Sequence, residues 1–122
     1  MFVILDTNVL IDLNKGNDRI AKEISEIISG VPDPEPAISW ANYFEYRFGD
    51  ESETGKRFLS EFIFLEMDKR ATECFTELKR KTKNASDFDL ITASVALANN
   101  AVLITRDKDF EKIKGLRLRL VS

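Results

Sequence analysis

Residues Phe2-Val3-Ile4-Leu5 are apolar without alternation, and the run stops abruptly at Asp6-Thr7-Asn8. Successive side chains of a strand point to opposite faces, so a strand that is apolar throughout needs cover on both sides. That need is met by a parallel sheet packed between helices, each strand followed by a crossover helix.

The rest of the chain continues this rhythm. Residues 7–13 and 18–29 read as helices; in the second, Ile20, Ile24, Ile27 and Ile28 share one stripe and Gly30 ends it. Pro32, Pro34 and Pro36 fall in a short linker before a brief strand around Ala37–Ser39. A helix is expected from about Asn42 to Phe48, closed by Gly49, and another over 53–61. Phe62–Leu65 reads as a third strand. Asp68 suits the cap of the next helix, where Ala71, Cys74, Phe75 and Leu78 form one face. Ser86 or Asp87 caps a helix that runs to Asn99-Asn100, and Ala101–Thr105 is a fourth strand. Leu116–Val121, with Arg117 and Arg119 alternating, suits a fifth strand at an exposed edge. The expected fold is α/β: a three-layer α/β/α sandwich with a mainly parallel four- to five-stranded sheet, in a single domain over residues 1–122.

The chain contains no histidine. This removes the commonest general base and the commonest transition-metal ligand together. Cys74 is the only cysteine, which excludes an intrachain disulfide and a zinc site of Cys and His; its apolar neighbours make it a small core residue. Catalysis would have to run on carboxylates, Lys, Tyr or a hydroxyl, or on a hard metal bound through oxygen. The first residues lack a basic stretch and their apolar run is short, which reads as neither a signal peptide nor a membrane span. A cytoplasmic protein is expected.

In an open parallel sheet, ligands bind beyond the carboxyl ends of the strands. Asp6 follows the first strand directly, and Asp107 follows the fourth by two residues, with Asp109 two further on. Asp89 falls in the first turn of the helix leading into the fourth strand, and Glu45 in the first turn of the helix after the second. Each has an ordinary alternative. Asp6 can cap the helix starting at Thr7, and Asn42-x-x-Glu45 has capping-box spacing. Asp87 and Asp89 can serve a helix dipole, and Asp107 and Asp109 can be turn residues. The joint placement carries the argument, because independent caps have no reason to share one edge of a sheet. Clustered anions repel one another, and persist only with protons or a cation. Oxygen-only ligation selects Mg2+ or Mn2+.

Four segments resemble the motifs of PIN domains, in order and over essentially the whole chain. They are Val3-Ile4-Leu5-Asp6-Thr7-Asn8-Val9-Leu10, Ser39-Trp40-Ala41-Asn42-Tyr43-Phe44-Glu45, Asp87-Phe88-Asp89-Leu90-Ile91-Thr92-Ala93-Ser94 and Leu103-Ile104-Thr105-Arg106-Asp107-Lys108-Asp109-Phe110. The resemblance is closest to the short VapC branch, the toxins of prokaryotic toxin–antitoxin pairs. It implies a PIN-like fold, Mg2+- or Mn2+-dependent hydrolysis of RNA, a homodimer, and a small VapB-like antitoxin that occludes the site. Carried over by position, it implies Asp6, Glu45, Asp89 and Asp107 as the metal-binding and catalytic acids, Asp109 as an accessory ligand, and Asn8 and Thr105 as polar neighbours. Asp89 is chosen over Asp87 because Leu90-Ile91-x-Ala93 continues the motif from it; on a helix Asp87 points about 200° away. Two positions depart from the pattern. Thr92 replaces a large aliphatic residue, read as a packing change that does not touch chemistry. Asn42 replaces a Ser or Thr and can still cap the helix.

A metal-activated water would attack the phosphodiester, with Glu45 or Asp89 accepting its proton. Residues 1–78 carry 8 basic and 16 acidic side chains, whereas residues 79–122 carry 10 basic and 5 acidic. A polyanion would therefore be steered to the second half. The candidates for RNA contact are Lys79, Arg80, Lys81 and Lys83, and Arg106, Lys108, Lys112 and Lys114; the alternative for Lys79–Lys83 is cations at a helix C-terminus. Trp40, Tyr43 and Tyr46 can stack on unpaired bases, or serve packing and dimer contacts. Two rivals remain at this point. One is an aspartyl-phosphate α/β enzyme, disfavoured because Asp6-Thr7-Asn8 lacks an Asp-x-Asp pair. The other is a binding module without turnover, disfavoured by the full set of acids.

Overall fold

The apolar run at the start of the chain forms the central strand of the sheet. The computed structural model describes residues 1–122. The strands are β1 (Phe2–Leu5), β2 (Glu35–Ser39), β3 (Ile63–Leu65), β4 (Val102–Thr105) and β5 (Arg117–Leu120). The helices are α1 (Thr7–Asn14), α2 (Asp18–Ser29), α3 (Trp40–Gly49), α4 (Glu53–Leu59), α5 (Lys69–Lys81) and α6 (Asp87–Ala98). The sheet order is β3-β2-β1-β4-β5, and every neighbouring pair is parallel. The expected three-layer α/β/α sandwich is present, with β5 at an edge as its alternating arginines indicated.

Alternate side chains of the strands supply two separate cores. Val3, Leu5, Ile38, Val102 and Ile104 point to one face, where Val9 and Leu10 of α1, Ile20 and Ile24 of α2 and Leu59 of α4 cover them. Ile4, Ala37 and Leu103 point to the other, beneath Ala71 of α5 and Leu90, Ala93 and Ala96 of α6. Burying each large aliphatic side chain contributes about 1.5–3 kcal/mol, so both layers hold β1 in place. Cys74 is half-buried and packs against the second core. No helix is long and apolar enough to cross a membrane.

The strand order reverses between β1 and β4. The chain builds outward from β1 through β2 to β3, then returns to the other side of β1. The carboxyl ends of these two strands therefore flank the crevice that such a reversal opens. Asp6 lies at one lip, and Thr105 to Asp107 at the other.

Several local expectations are corrected. α3 begins at Trp40 rather than Asn42, capped by Ser39, with Asn42 at the third helical position closing the capping box. Glu45 therefore lies in the second turn of α3, and the Asn42-x-x-Glu45 box does not form. Pro36 belongs to β2, not to a linker. It pairs in register with Val3, and β3 begins only opposite Ala37, so no strand needs the missing N–H on the outer side. Asp107 caps a short 3-10 turn, Lys108–Lys112, that the sequence did not suggest.

Candidate active site

Asp6 is 5% exposed, and four donors converge on its carboxylate. The Thr7 N–H donates to Oδ1 at 2.9 Å, so Asp6 does cap α1. The Asn42 amide also donates to Oδ1, at 3.2 Å. The Thr105 hydroxyl donates to Oδ2 at 2.6 Å, and the Asn8 amide reaches the same oxygen at 3.4 Å. Cap and site are thus not alternatives here: the N-terminus of α1 is one of the features that stabilise a buried anion.

The other acids approach from separate elements. Glu45 Oε1 accepts from the Thr7 hydroxyl at 2.9 Å. Asp89 is in the first turn of α6, whose Ser86 cap accepts its N–H at 3.1 Å. The Asp107 N–H donates to the Thr105 hydroxyl at 3.0 Å, while its carboxylate accepts the Asp109 N–H at 2.9 Å. Asp109 itself is exposed, 3.8 Å from the Lys112 ammonium. Asp87 faces away and pairs with Lys79 at 2.6 Å.

The charges sense one another. Burial pushes the Asp6 carboxyl above the ordinary Asp value; hydrogen bonds from Thr105 and Thr7 oppose this, and the charges of Glu45 and Asp107 reinforce it. Burial also raises Asp89, helped by the charges of Asp6, Asp107 and Asp109 and opposed by a hydrogen bond with Ser86. Between them, Asp6 and Asp89 thus sense the charges of Glu45, Asp107 and Asp109, and Asp87 is not among the residues that raise either carboxyl. The donor set is entirely oxygen and suits a hard divalent cation in kind. As they stand, no three acidic side chains are placed to hold one ion together. Asp6 is fixed, whereas Glu45, Asp89 and Asp107 are only partly buried. Closure on an ion would fall to those three, with the long Asn8 contact the weakest of the bonds on Asp6.

The remaining expected residues divide. Arg106 pairs with Asp12 at 2.8 Å, and its N–H donates to Asn8 Oδ1 at 3.3 Å. Lys81 pairs with Glu77 at 2.7 Å; Lys79 is held by Asp87, and Arg80 and Lys108 are exposed. Lys112 borders a depression that also holds Asp89 and Asp109. Tyr46 is buried in the core with its hydroxyl on Asn14, so it is not free to stack on a base. Trp40 packs edge-on against Phe88, and Tyr43 against Phe64. Thr92 is more than packing: its hydroxyl lies 3.2 Å from Ser39 Oγ and accepts from the Asn42 amide at 3.3 Å. Thr7, Ser39, Asn42 and Thr92 thus surround the candidate acids, an arrangement that the motif positions did not point to, although Asn42 and Thr92 stood out as departures.

The family model for the PIN domain matches residues 3–116. No curated protein sequence matches the chain significantly. Among solved structures, the chain is similar to one from VapBC-1 of nontypeable Haemophilus influenzae, at 28% identity, 98% coverage of each chain and a TM-score of 0.79. It is similar to a chain of a Klebsiella pneumoniae toxin–antitoxin complex, at 28% identity, covering 93% of this chain and 94% of that one, with a TM-score of 0.77. A chain of Rickettsia felis VapBC2, bound to a promoter DNA fragment, matches at 25% identity over 100% of both chains with a TM-score of 0.77. A motif order running through the whole chain, the parallel five-stranded sheet and these matches lead to one assignment: the chain belongs to the PIN domain family, in the form found in VapBC toxin–antitoxin complexes.

Proposed function

We propose that this PIN domain is a Mg2+- or Mn2+-dependent endoribonuclease, and that it is the toxin of a VapBC-type pair. The observation that carries the reading is the environment of Asp6. A buried carboxylate is kept in place by four donors at the crevice between β1 and β4, and Glu45 and Asp107 add charge to it. Asp6, Glu45, Asp89 and Asp107 would hold the ion, with Asp109 accessory. The ion would supply an activated water and charge neutralisation at the scissile phosphate. Around it, the Thr105 hydroxyl orients Asp6, and the Thr7 hydroxyl holds one oxygen of Glu45 and leaves the other open to accept a proton.

The likeness to chains from toxin–antitoxin complexes supports a small antitoxin as partner. An exposed aromatic ridge on α3, in which Phe44 packs at a tilt between Phe48 and Phe88 of α6 and Phe48 is 82% exposed, supports a homodimer. Excess basic charge in residues 79–122 supports a nucleic-acid substrate.

The test is cleavage of single-stranded and structured RNA, with DNA in parallel, in the presence of Mg2+ or Mn2+. Loss of cleavage in EDTA and in Asp6→Asn is expected. Cleavage that survives either would overturn the mechanism. Mn2+ binding with no turnover on any nucleic acid would point instead to a binding module.

A further inference from the structure

We propose that Asn42 is a positioning residue that aims Asp6, and that Thr92 holds Asn42 in that position, the two acting as a pair. The inference rests on the divalent-ion reading given above and adds to it two residues outside the acid set.

The amide orientation follows from its neighbours. The Ser39 main-chain N–H, which can only donate, faces the Asn42 side chain at 3.1 Å, so the atom there is Oδ1. The amino group is therefore turned towards Asp6. Ser39 Oγ accepts the Asn42 N–H at 3.2 Å and donates its own proton to Asn42 Oδ1 at 2.9 Å. Its contact with the Thr92 hydroxyl at 3.2 Å then makes Thr92 the donor, and leaves Thr92 Oγ1 free to accept from the Asn42 amide. One amide proton goes to Asp6 Oδ1. The second is shared between Thr92 Oγ1 at 3.3 Å and Thr7 Oγ1 at 3.4 Å. Because the Thr7 hydroxyl gives its proton to Glu45, it too can only accept from Asn42.

A single buried amide thus touches the acid after β1 directly and the acid on α3 through one hydroxyl. Through Thr92 it is tied to α6, the helix that carries Asp89. Ser39 and Asn42 are fully buried and Thr92 is 1% exposed, so water does not substitute for these contacts. The capping box of α3 uses Ser39 Oγ and Asn42 Oδ1; the Asn42 amino group lies outside that box and brings a donor to Asp6. A large aliphatic residue at 92 would remove one acceptor of the second amide proton. The two departures from the PIN pattern therefore answer each other.

The test is Mn2+ affinity of the full-length chain by isothermal titration, with folding checked by circular dichroism. Asn42→Leu keeps the volume and removes both the donor to Asp6 and the Oδ1 that accepts from Ser39, so the folding check is part of the test; a loss of affinity within about 10–100-fold is expected, as for other residues that orient ligands. The KM for Mn2+ in RNA cleavage should rise more than kcat falls. Thr92→Val removes only the hydroxyl, and a loss of about threefold is expected, with no further loss when it is added to Asn42→Leu, because the pair acts as a unit. Should Asn42→Leu not fold, Thr92→Val alone decides. Unchanged Mn2+ affinity in a folded variant, or losses that simply add in the double variant, would overturn the pairing and leave the nuclease reading intact. Wild-type protein that binds no Mn2+ overturns both.

Discussion

Thr105 Oγ1 donates to Asp6 Oδ2 at 2.6 Å across 99 positions of chain, and Thr105 Oγ1 also accepts the Asp107 N–H at 3.0 Å. One buried hydroxyl thus joins the acids that follow β1 and β4, the two strands between which the sheet order reverses. Thr105→Val retains the shape and leaves both partners short of a bond. Expected are a loss of about 1–3 kcal/mol in urea unfolding and a fall in Mn2+ affinity of about tenfold or more. A variant as stable and as tightly binding as wild type would show that this hydroxyl has no such role.

Asp6 is charged at a cost. Its raised pKa means that the native state holds the proton more tightly than the unfolded chain. The stability this contributes is present below the unfolded value, about 3.9 for Asp, and is lost as pH rises through the native value. Without divalent ions, the melting temperature of wild type relative to Asp6→Asn should therefore fall as pH rises from the acid range towards neutrality. Mn2+ should raise wild type relative to the variant, since ion at 100 times its Kd stabilises wild type by about 2.7 kcal/mol and has no complete site in the variant. Thermal melts across pH in EDTA and in Mn2+ would decide this. A difference in melting temperature that changes with neither pH nor Mn2+ would sink it.

Ion binding has the opposite pH dependence. Asp6 and Asp89 must be ionised to bind a cation, and both carboxyls lie above the ordinary Asp value. Mn2+ affinity should therefore begin to fall on acidification at a pH above the usual Asp range of about 3.9. Calorimetric titrations from neutral to acidic pH read this directly. Affinity that stays level down to that range would contradict the raised carboxyls.

How much of this was legible in the sequence depended on the distance over which each signal acts. β1 and β4 were readable because an unbroken apolar run is a local consequence of burial on both faces. The Asp68 and Ser86 caps were readable for the same reason, since cap and partner lie three residues apart. The start of α3 was misplaced because Ser39 and Asn42 are both good caps at capping-box spacing, and in the fold Ser39 takes the cap while Asn42 closes its box. Pro36 looked like a linker residue because only the register of β3 shows that no pairing is lost there. The acids could be named from motif positions. The hydroxyl and amide groups that hold them could not, because each bond joins distant segments.

The ridge on α3 predicts an association state. Phe48 is the most exposed large apolar side chain of the protein, and Phe44 beside it is 43% exposed. Phe48→Glu should shift the sedimentation equilibrium of the isolated chain towards the monomer while leaving its melting temperature within a few degrees, as surface substitutions usually do. An unchanged dimer would place the interface elsewhere, and a wild-type monomer would remove the homodimer from the reading.

The basic residues should not contribute equally to RNA binding. Lys79 and Lys81 are engaged by Asp87 and Glu77 at 2.6 and 2.7 Å on the surface of α5 and α6, whereas Lys112 makes only a loose 3.8 Å contact with Asp109 and borders the depression that holds Asp89 and Asp109. Lys112→Ala should raise KM for RNA and reduce the slope of log affinity against log salt by about one, the loss of a single phosphate contact. Lys79→Ala should change KM by less than about twofold, because exposed ion pairs of this kind contribute roughly 0–1 kcal/mol. Steady-state cleavage and filter binding across a salt series measure both. If Lys79 carried the salt slope and Lys112 did not, the RNA path would run along the C-terminal end of α5 rather than past the 3-10 turn that follows Asp107.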